Sequence, residues 1–385
     1  MSEQKGNVLT INTGSVTTKL GYFVDGKKIF EQKLHHPADE VAKYPDVMQQ
    51  DGMRRDAVRE FLRSKGIHAC GIDIIMGRGG LFKPVGTGVY RVNSDMRDVL
   101  MSCRDGKHAC NLSAIIADDL AEEINEKNRD RGYTPAFGPC HAYIADPPLA
   151  DEMLPECRIG GLPEFPRTSL FHALNSRAAV RHYLGFIGHE RNDITVIVAH
   201  MGGGVTVSLH RNGRVIDTND GLGGDGPFTP ERAGSCSPYG LVDLCFSGEY
   251  SRDEIRKKLV GRGGAVAFFG TNDLAELQRR ADAGSHREAV WLKAFALNVS
   301  KYITSEAAVV EGKVDAILLT GGTAYDTAVT GAITQRVSFL APVKVYPGEF
   351  ELDSLAENAY DILAGKADIH LYDKDAPLPD PFGEV

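Results

Sequence analysis

ITVIVAHMGGGVTVSLHRNGRVIDTNDGLGGDGPFTPERAGSCSPYG, residues 194–240, runs a β-favouring stretch into three glycines and out again as a second strand. Ile194 to Val198 lead toward His200, and VTVSLH alternates as the returning strand. Between them Gly202, Gly203 and Gly204 leave the main chain without Cβ atoms, so a ligand can approach the backbone closely. Bare amides in such a turn form a nest for an anion, the usual means of holding polyphosphate where no side chain can intrude. The glycines alone are equally compatible with a plain Gly-rich hairpin.

A second copy of the pattern favours the nest. VLTINTGSVTTKLGYFVDGKKIF, residues 8–30, overlays VIVAHMGGGVTVSLHRNGRVID without a gap as far as the hairpin turn. Asn12 then falls on His200, Gly14 on Gly202, Ser15 on Gly203 and Thr17 on Val205, and Val24-Asp25-Gly26 answers Arg211-Asn212-Gly213 within one residue. Two such units half a chain apart predict two similar domains facing each other across a cleft, each offering a loop to the phosphates.

Composition agrees with two domains and excludes several classes. A chain of 385 residues is long for one core, and 42% hydrophobic with 25% charged residues is ordinary for a globular protein. A net charge of −9 without a Lys/Arg run argues against nucleic acid as a partner. The opening MSEQKGNVLT has neither a charged n-region nor an apolar h-region, and no stretch reaches membrane-spanning length; the expectation is a cytoplasmic protein with no membrane partner. Seven cysteines without Cys-x-x-Cys spacing argue against a disulfide framework or a zinc site.

Other stretches place polar residues at strand ends. Residues 44–65 read as a packing helix. GIDIIMGRGG ends a strand at Gly77-Arg78-Gly79-Gly80, where α/β folds put ligands, although a turn arginine is commonly just solvated. LSAIIADDLAEEINEK reads as a helix with His108 and Asn111 at its start, and capping suffices to explain Asn111. PCHAYIADPP is a strand stopped by prolines that fix the Asp146 carboxylate at its end, though turn aspartates are common. EFPRTSLFHALNSRA starts another helix, with Ser169 able to cap it and His172 within its first turn. VDAILLT runs into Gly321-Gly322 and a helix, a close-packed turn suited to a nucleotide. VKVYPGEFELDSLAENAYDIL supplies a last strand and closing helix, and the Pro-rich tail DKDAPLPDPFGEV is expected to be loosely ordered.

Neither a Walker A loop nor a dinucleotide Gly-x-Gly-x-x-Gly is present. INTGSVTTK, MGRGGLFKPV, HACNLSAIIADDLA, PEFPRTSLFHALNSRA, AHMGGGVTVSLHRNGRVIDTNDG, GDGPFTPERAG, LVGRGGAVAFFGTND and EGKVDAILLTGGTAYD are specific as a set. With them the chain resembles the acetate kinase family over nearly all of residues 8–363, and within it the butyrate kinase branch, which acts on short linear or branched carboxylic acids. The resemblance implies an α/β fold, the duplicated actin-like ATPase (ribonuclease H-like) fold, with two domains around a nucleotide cleft. Residues 1–170 would form the N-terminal domain, with a C-terminal helix in 352–385 packing back on it, and 171–351 the nucleotide-binding domain. It further implies ATP/ADP and Mg2+ as cofactors, a short-chain carboxylate or acyl phosphate as substrate, and a homodimer or higher homo-oligomer.

Carried over residue by residue, the resemblance puts Asn12 at the first phosphate loop near Mg2+, with Gly14 and Ser15, and Lys19 near the nucleotide phosphates. Arg78 would bind the carboxylate or acyl phosphate, Asp146 would be the active-site acid, and His172 would face the transferring phosphoryl group. Arg232 is similar to the family's transition-state arginine. His200 with Gly202 to Gly204 would form the second phosphate loop, Asp273 would lie near the nucleotide, and Gly321-Gly322 would be the adenosine turn. Glu351 or Glu349 would hold the metal through water, and the sequence does not separate them.

The chemistry fits these residues. A carboxylate is already a competent nucleophile toward a γ-phosphate, so the protein must mainly align reactants and neutralise charge. Planar guanidiniums suit the equatorial oxygens, and Asp146 is better placed to orient an arginine or a metal-bound water than to move a proton. Two departures from the family stand out. Ala275 occupies a position where relatives place an arginine near the adenine, and ERAGSCSP is polar where relatives have smaller apolar residues, which bears on chain-length preference. The alternatives are an acetate or propionate kinase, or a non-kinase actin-like ATPase.

Overall fold

The structure is a computed structural model that describes residues 5–189 and 193–383, so the first four residues of the opening segment and the last two of the tail lie outside the described residues. Its strands in chain order begin with β1 (Asn7–Thr13), β2 (Thr17–Val24), β3 (Lys27–His35), β4 (Ile74–Arg78), β5 (Val89–Arg91) and β6 (His141–Ala145). They continue with β7 (Thr195–Met201), β8 (Val205–Arg211), β9 (Arg214–Thr218), β10 (Ala316–Gly321), β11 (Val343–Pro347) and β12 (Ile369–Leu371).

The chain forms two compact units, Met1–Ala150 with Phe350–Pro379, and Asp151–Glu349 with Asp380–Val385. The first unit holds a sheet of order β12-β5-β6-β4-β1-β2-β3, the second a sheet of order β11-β10-β7-β8-β9. The five strands β6-β4-β1-β2-β3 repeat the order and directions of β11-β10-β7-β8-β9: three parallel strands, then two antiparallel ones.

The duplication extends to local detail. Both hairpins break register at one equivalent place, between Tyr22 and Phe23 and between Leu209 and His210. Both turn through a left-handed pair, Asp25 (φ 48°) with Gly26 (φ 78°) and Asn212 (φ 52°) with Gly213 (φ 80°), the dipeptides a tight two-residue hairpin favours. One part of the sequence overlay shifts. Thr13 pairs with Thr18 while Met201 pairs with Val205, so Val205 answers Thr18 rather than Thr17. The glycine turn is a residue shorter because it closes from Gly202 N to Gly204 O (2.9 Å), whereas Gly14 N reaches Thr17 O (2.8 Å).

Parallel strands buried on both faces read as continuous apolar runs, which is why VIVAHM and AILLTG carry so few charges. In the second unit, Ile197, Ala199 and Val207 meet Phe295, Val299 and Ile303 of the helix His286–Val309 on one face, while Val196, Val198 and Leu318 meet Ala179, Val180 and Tyr183 of the helix Ala173–Ile187 on the other. In the first unit Ile11 and Ile75 pack with Val58 and Phe61 of the helix Asp51–Ser64 and Ile115 and Ile116 of the helix Asn111–Asp130. Truncating a side chain such as Phe295 to alanine costs about 3–5 kcal/mol.

Elsewhere the structure revises the sequence reading. The helix expected over 44–65 is a 3-10 turn, Val47–Gln50, capped by Asp46, followed by Asp51–Ser64. Residues 151–170 pack with the second unit: Leu154 N donates to Ile216 O (3.0 Å), Arg167 bonds Asp217 (2.8 Å) and Leu170 bridges Asp220. The segment after the closing helix Glu351–Leu363 adds the edge strand β12, and the Tyr372 ring packs at 59° to that of Phe82 (centroids 4.9 Å). Lys83 Nζ donates to Lys374 O (2.6 Å) and Ala376 O (3.2 Å), so the first residues of the tail expected to be loose are pinned.

Candidate active site

In the first unit the candidate residues gather on Glu351. The register sets Asn12 opposite Lys19, which puts both side chains on one face at the turn. Asn12 Nδ2 donates to Glu351 Oε2, Lys19 Nζ lies 3.5 Å from the same oxygen, and Arg78 Nη1 lies 3.7 Å from Oε1. Arg78 Nη1 also reaches Asn12 Oδ1 at 3.5 Å. Glu351 is buried at the start of its helix, whereas Glu349 is exposed and belongs to the second unit.

Arg78 ends β4 beside Ala145, the last residue of β6, so Asp146 follows on the neighbouring strand end. The two turns touch: a Cβ on Gly79 would lie 2.7 Å from Pro147 Cα. Asp146 adopts φ 43°, a strained conformation for a residue with a Cβ, and is held by reciprocal bonds in which Gly88 N donates to its Oδ1 (3.0 Å) and its own N–H donates to Gly88 O (2.9 Å).

The loop Gly14–Thr17 is fastened from behind by a residue the sequence reading passed over. Arg54 is completely buried; it donates from Nη1 to Thr17 O (2.9 Å) and Thr18 Oγ1 (3.2 Å), and from Nη2 to Ser15 O (2.8 Å) and Gln50 Oε1 (2.9 Å). Burial brings its guanidinium down to about 10, which still leaves it charged at neutral pH. Asn111 does not cap its helix as expected. It lies one position inside, where its Oδ1 accepts from Leu81 N (2.8 Å) and its Nδ2 donates to Gly106 O (3.0 Å), holding the turn that follows Arg78.

In the second unit His200 is the last residue but one of β7 and stacks on His172, with ring centroids 3.8 Å apart at 11°. Asn175 Nδ2 lies 2.8 Å from His200 Nδ1. With that amide donating, the proton of the neutral ring sits on Nε2, the nitrogen beside Gly202. His172 immediately precedes its helix rather than lying within it, and its Nδ1 lies 2.9 Å from Thr206 Oγ1; Ser169 is buried further back and does not cap.

Arg232 packs its guanidinium against Gly204, where any Cβ would collide with it, and donates from Nη1 to Gly221 O. Burial lowers its pKa from the ordinary guanidinium value, against the opposing pull of Glu231 and Asp220.

A cavity of about 650 Å³ opens beside this loop, lined by Gly202, Gly203, Asp273, Ala275, Gly322 and Tyr325, a volume within the range for small ligands and cofactors. Asp273 caps the helix Leu274–Asp282 through Glu276 N (3.0 Å), and Arg279, one turn beyond Ala275, lines the same space. Gly321 (φ 89°) approaches so closely that a Cβ would overlap the backbone of Met201.

Among the described residues no group of three or more His, Cys, Asp or Glu side chains gathers as a metal cage. The Glu351 carboxylate and the Asn12 amide oxygen are oxygen donors of the kind a largely hydrated Mg2+ takes, the rest of its shell being water and phosphate oxygens.

The duplicated α/β fold is of the actin-like ATPase kind, with paired strand–turn–strand loops and a cavity of about 650 Å³ beside the glycine loop. Residues 170–353 match the acetokinase family. Butyrate kinase 2 of Clostridium acetobutylicum is 43% identical over 96% of this chain and 99% of its own length. A propionate kinase from Francisella tularensis superposes with a TM-score of 0.71 at 16% identity, over 92% of this chain and 98% of that one. Porphyromonas gingivalis acetate kinase follows at 0.70 and 15%, over 93% and 100%; these two bear on fold alone. The chain belongs to the acetokinase family and is a carboxylate kinase, with a nucleotide and a carboxylate as its substrates.

Proposed function

We propose that this carboxylate kinase transfers the γ-phosphoryl group of ATP reversibly to a short-chain acid of the butyrate or isobutyrate type, with Mg2+. The observation that carries the choice of acid is the 43% identity, over nearly the whole of both chains, to a butyrate kinase.

Phosphoryl transfer to a carboxylate needs no base, so the residues act by binding, alignment and charge. Arg78 receives the acid's carboxylate, its guanidinium steadied by Glu351 and Asn12. Asp146, fixed at the neighbouring strand end, orients the groups there and moves no proton. The amides of Gly202 to Gly204 and the Nε2–H of His200 receive the nucleotide phosphates, and His172 stacks behind His200. Arg232 neutralises charge on the phosphoryl group in flight. Mg2+, bound through water to Glu351 and Asn12, would lower the charge repulsion between phosphates and carboxylate. Gly321-Gly322, Asp273 and Arg279 accommodate the nucleoside.

The helix Pro238–Phe246 exposes Tyr239, Val242 and Phe246, which supports a homo-oligomer that covers them. Among the described residues no helix is long and apolar enough to cross a membrane, which accords with a cytoplasmic enzyme.

Trapping acyl phosphate as hydroxamate over acids of two to six carbons tests the reading. The highest kcat/KM should fall on four-carbon acids. An optimum at acetate or propionate would reassign the acid, and ATP hydrolysis without hydroxamate would overturn carboxyl transfer.

A further inference from the structure

We infer that Thr229 is a positioning residue that couples the glycine loop to Arg232. Its hydroxyl donates to Gly203 O (2.6 Å) and accepts from Glu231 N (3.1 Å) and Arg232 N (2.9 Å). One proton and two lone pairs are all a hydroxyl has, so every hydrogen-bonding capacity of Thr229 is spent on the two elements it joins. Its backbone closes the same turn, Thr229 N donating to Arg232 O (3.0 Å), and the residue is 1% exposed, so water cannot substitute.

The geometry makes this more than a staple. A trans peptide is planar, with its C=O and N–H pointing in opposite directions. Holding Gly203 O therefore aims the Gly204 N–H away from Thr229, and glycines have no steric preference that would hold that peptide otherwise. The same oxygen atom fixes the backbone from which Arg232 extends to lie against Gly204. A nucleotide that orders the loop thereby also orders the arginine. The inference rests on reading this loop as the phosphate site and Arg232 as the group that meets the phosphoryl in flight.

Thr229→Val keeps the shape and removes the hydroxyl; Thr229→Ser keeps the hydroxyl and removes a methyl. Val should lower kcat about 10- to 100-fold and raise the KM for ATP several-fold, since misplacements of about 1 Å cost that much, while the KM for the acid stays within about twofold. Ser should recover kcat to within about threefold. In the Arg232→Ala background the Val substitution should lower kcat by less than about threefold, because the group it positions is gone. Wild-type kcat and KM in Thr229→Val, or independent multiplication of the two effects, would overturn the coupling. If Val proves insoluble, Thr229→Ala replaces it: Ala impaired and Ser restored supports the inference, Ala and Ser alike refutes it. Gly203→Val and Arg232→Ala serve as controls. If these are impaired and Thr229→Val is not, the coupling alone fails; if both are silent, the site reading fails and the inference with it.

Discussion

Asn12 and Glu351 are 339 positions apart in the chain, yet Asn12 Nδ2 donates to the Glu351 carboxylate in the buried floor of the first unit. The bond ties the end of β1, beside the turn Gly14–Thr17, to the start of the closing helix, and Lys19 and Arg78 converge on the same carboxylate. Glu351→Gln keeps an oxygen for Asn12 and removes the charge. Stability should change by only about 1 kcal/mol, because both cations are partly solvated. Half-saturating Mg2+ should rise about tenfold, with kcat lowered about 10- to 100-fold. A Mg2+ titration that superimposes on wild type would show that Glu351 has no part in the metal site.

Among the described residues Arg54 hydrogen-bonds to neutral oxygens: two carbonyls, a threonine hydroxyl and a glutamine amide. Arg54→Met should cost about 3 kcal/mol or more, since several buried acceptors lose their donor. Arg54→Lys should recover little, because one ammonium cannot span the same set. Denaturant midpoints of the two variants check this, and a lysine variant as stable as wild type would contradict it.

His210 is buried against Ser208 Oγ (3.0 Å), and burial, with Arg177 nearby, pushes its pKa down to about 3 from the ordinary 6.5. In the unfolded chain the ring takes a proton as pH falls through about 6.5, whereas the folded ring resists until about 3. Its contribution to stability is therefore complete above about pH 6.5 and lost as pH falls toward about 3, a difference of about 3 to 6 kcal/mol. His210→Gln should flatten this limb relative to wild type when unfolding is followed between pH 7 and pH 4. Parallel pH profiles would show that His210 is not the titrating group.

Two glycines should separate folding from binding. At Gly321 a Cβ would overlap the Met201 backbone and φ is 89°, so Gly321→Ala should cost at least about 2 kcal/mol in thermal unfolding. At Gly203 the nearest atoms to a Cβ are those of the Glu231 carboxylate, at 3.5 Å, so Gly203→Val should fold but place its side chain where the phosphates are proposed to lie. Calorimetry with ADP should find Gly203→Val stable and without affinity. Wild-type affinity there would remove the glycine loop from the nucleotide site.

Legibility in the sequence followed range. Asp25-Gly26 and Asn212-Gly213 announced equivalent hairpins because turn conformation is dictated locally. The positions of Arg78, Asp146, His200 and Gly202 to Gly204 at or beside strand ends were legible because an apolar run stops at each. Arg54 was not, since an arginine on an amphipathic helix reads as a solvated face until the fold buries it. Asn111 has the residue type of a cap and is used at long range instead. Glu349 and Glu351 both fall between the end of β11 and the first turn of the closing helix, where periodicity does not separate them; burial and the contacts of Glu351 with Asn12, Lys19 and Arg78 do. β12 is a three-residue edge with no pattern of its own.

The central claim is that charge stabilisation by two arginines with different duties drives phosphoryl transfer to the acid. An interaction made equally with substrate and transition state lowers KM, and one made only in the transition state raises kcat. Steady-state kinetics of Arg78→Ala and Arg232→Ala, read as hydroxamate formed from a four-carbon acid, measure the division directly. Arg78→Ala should raise the acid KM markedly with some loss of kcat, and Arg232→Ala should chiefly lower kcat, by about three powers of ten or more. Near wild-type kcat in Arg232→Ala, or an unchanged acid KM in Arg78→Ala, would contradict it.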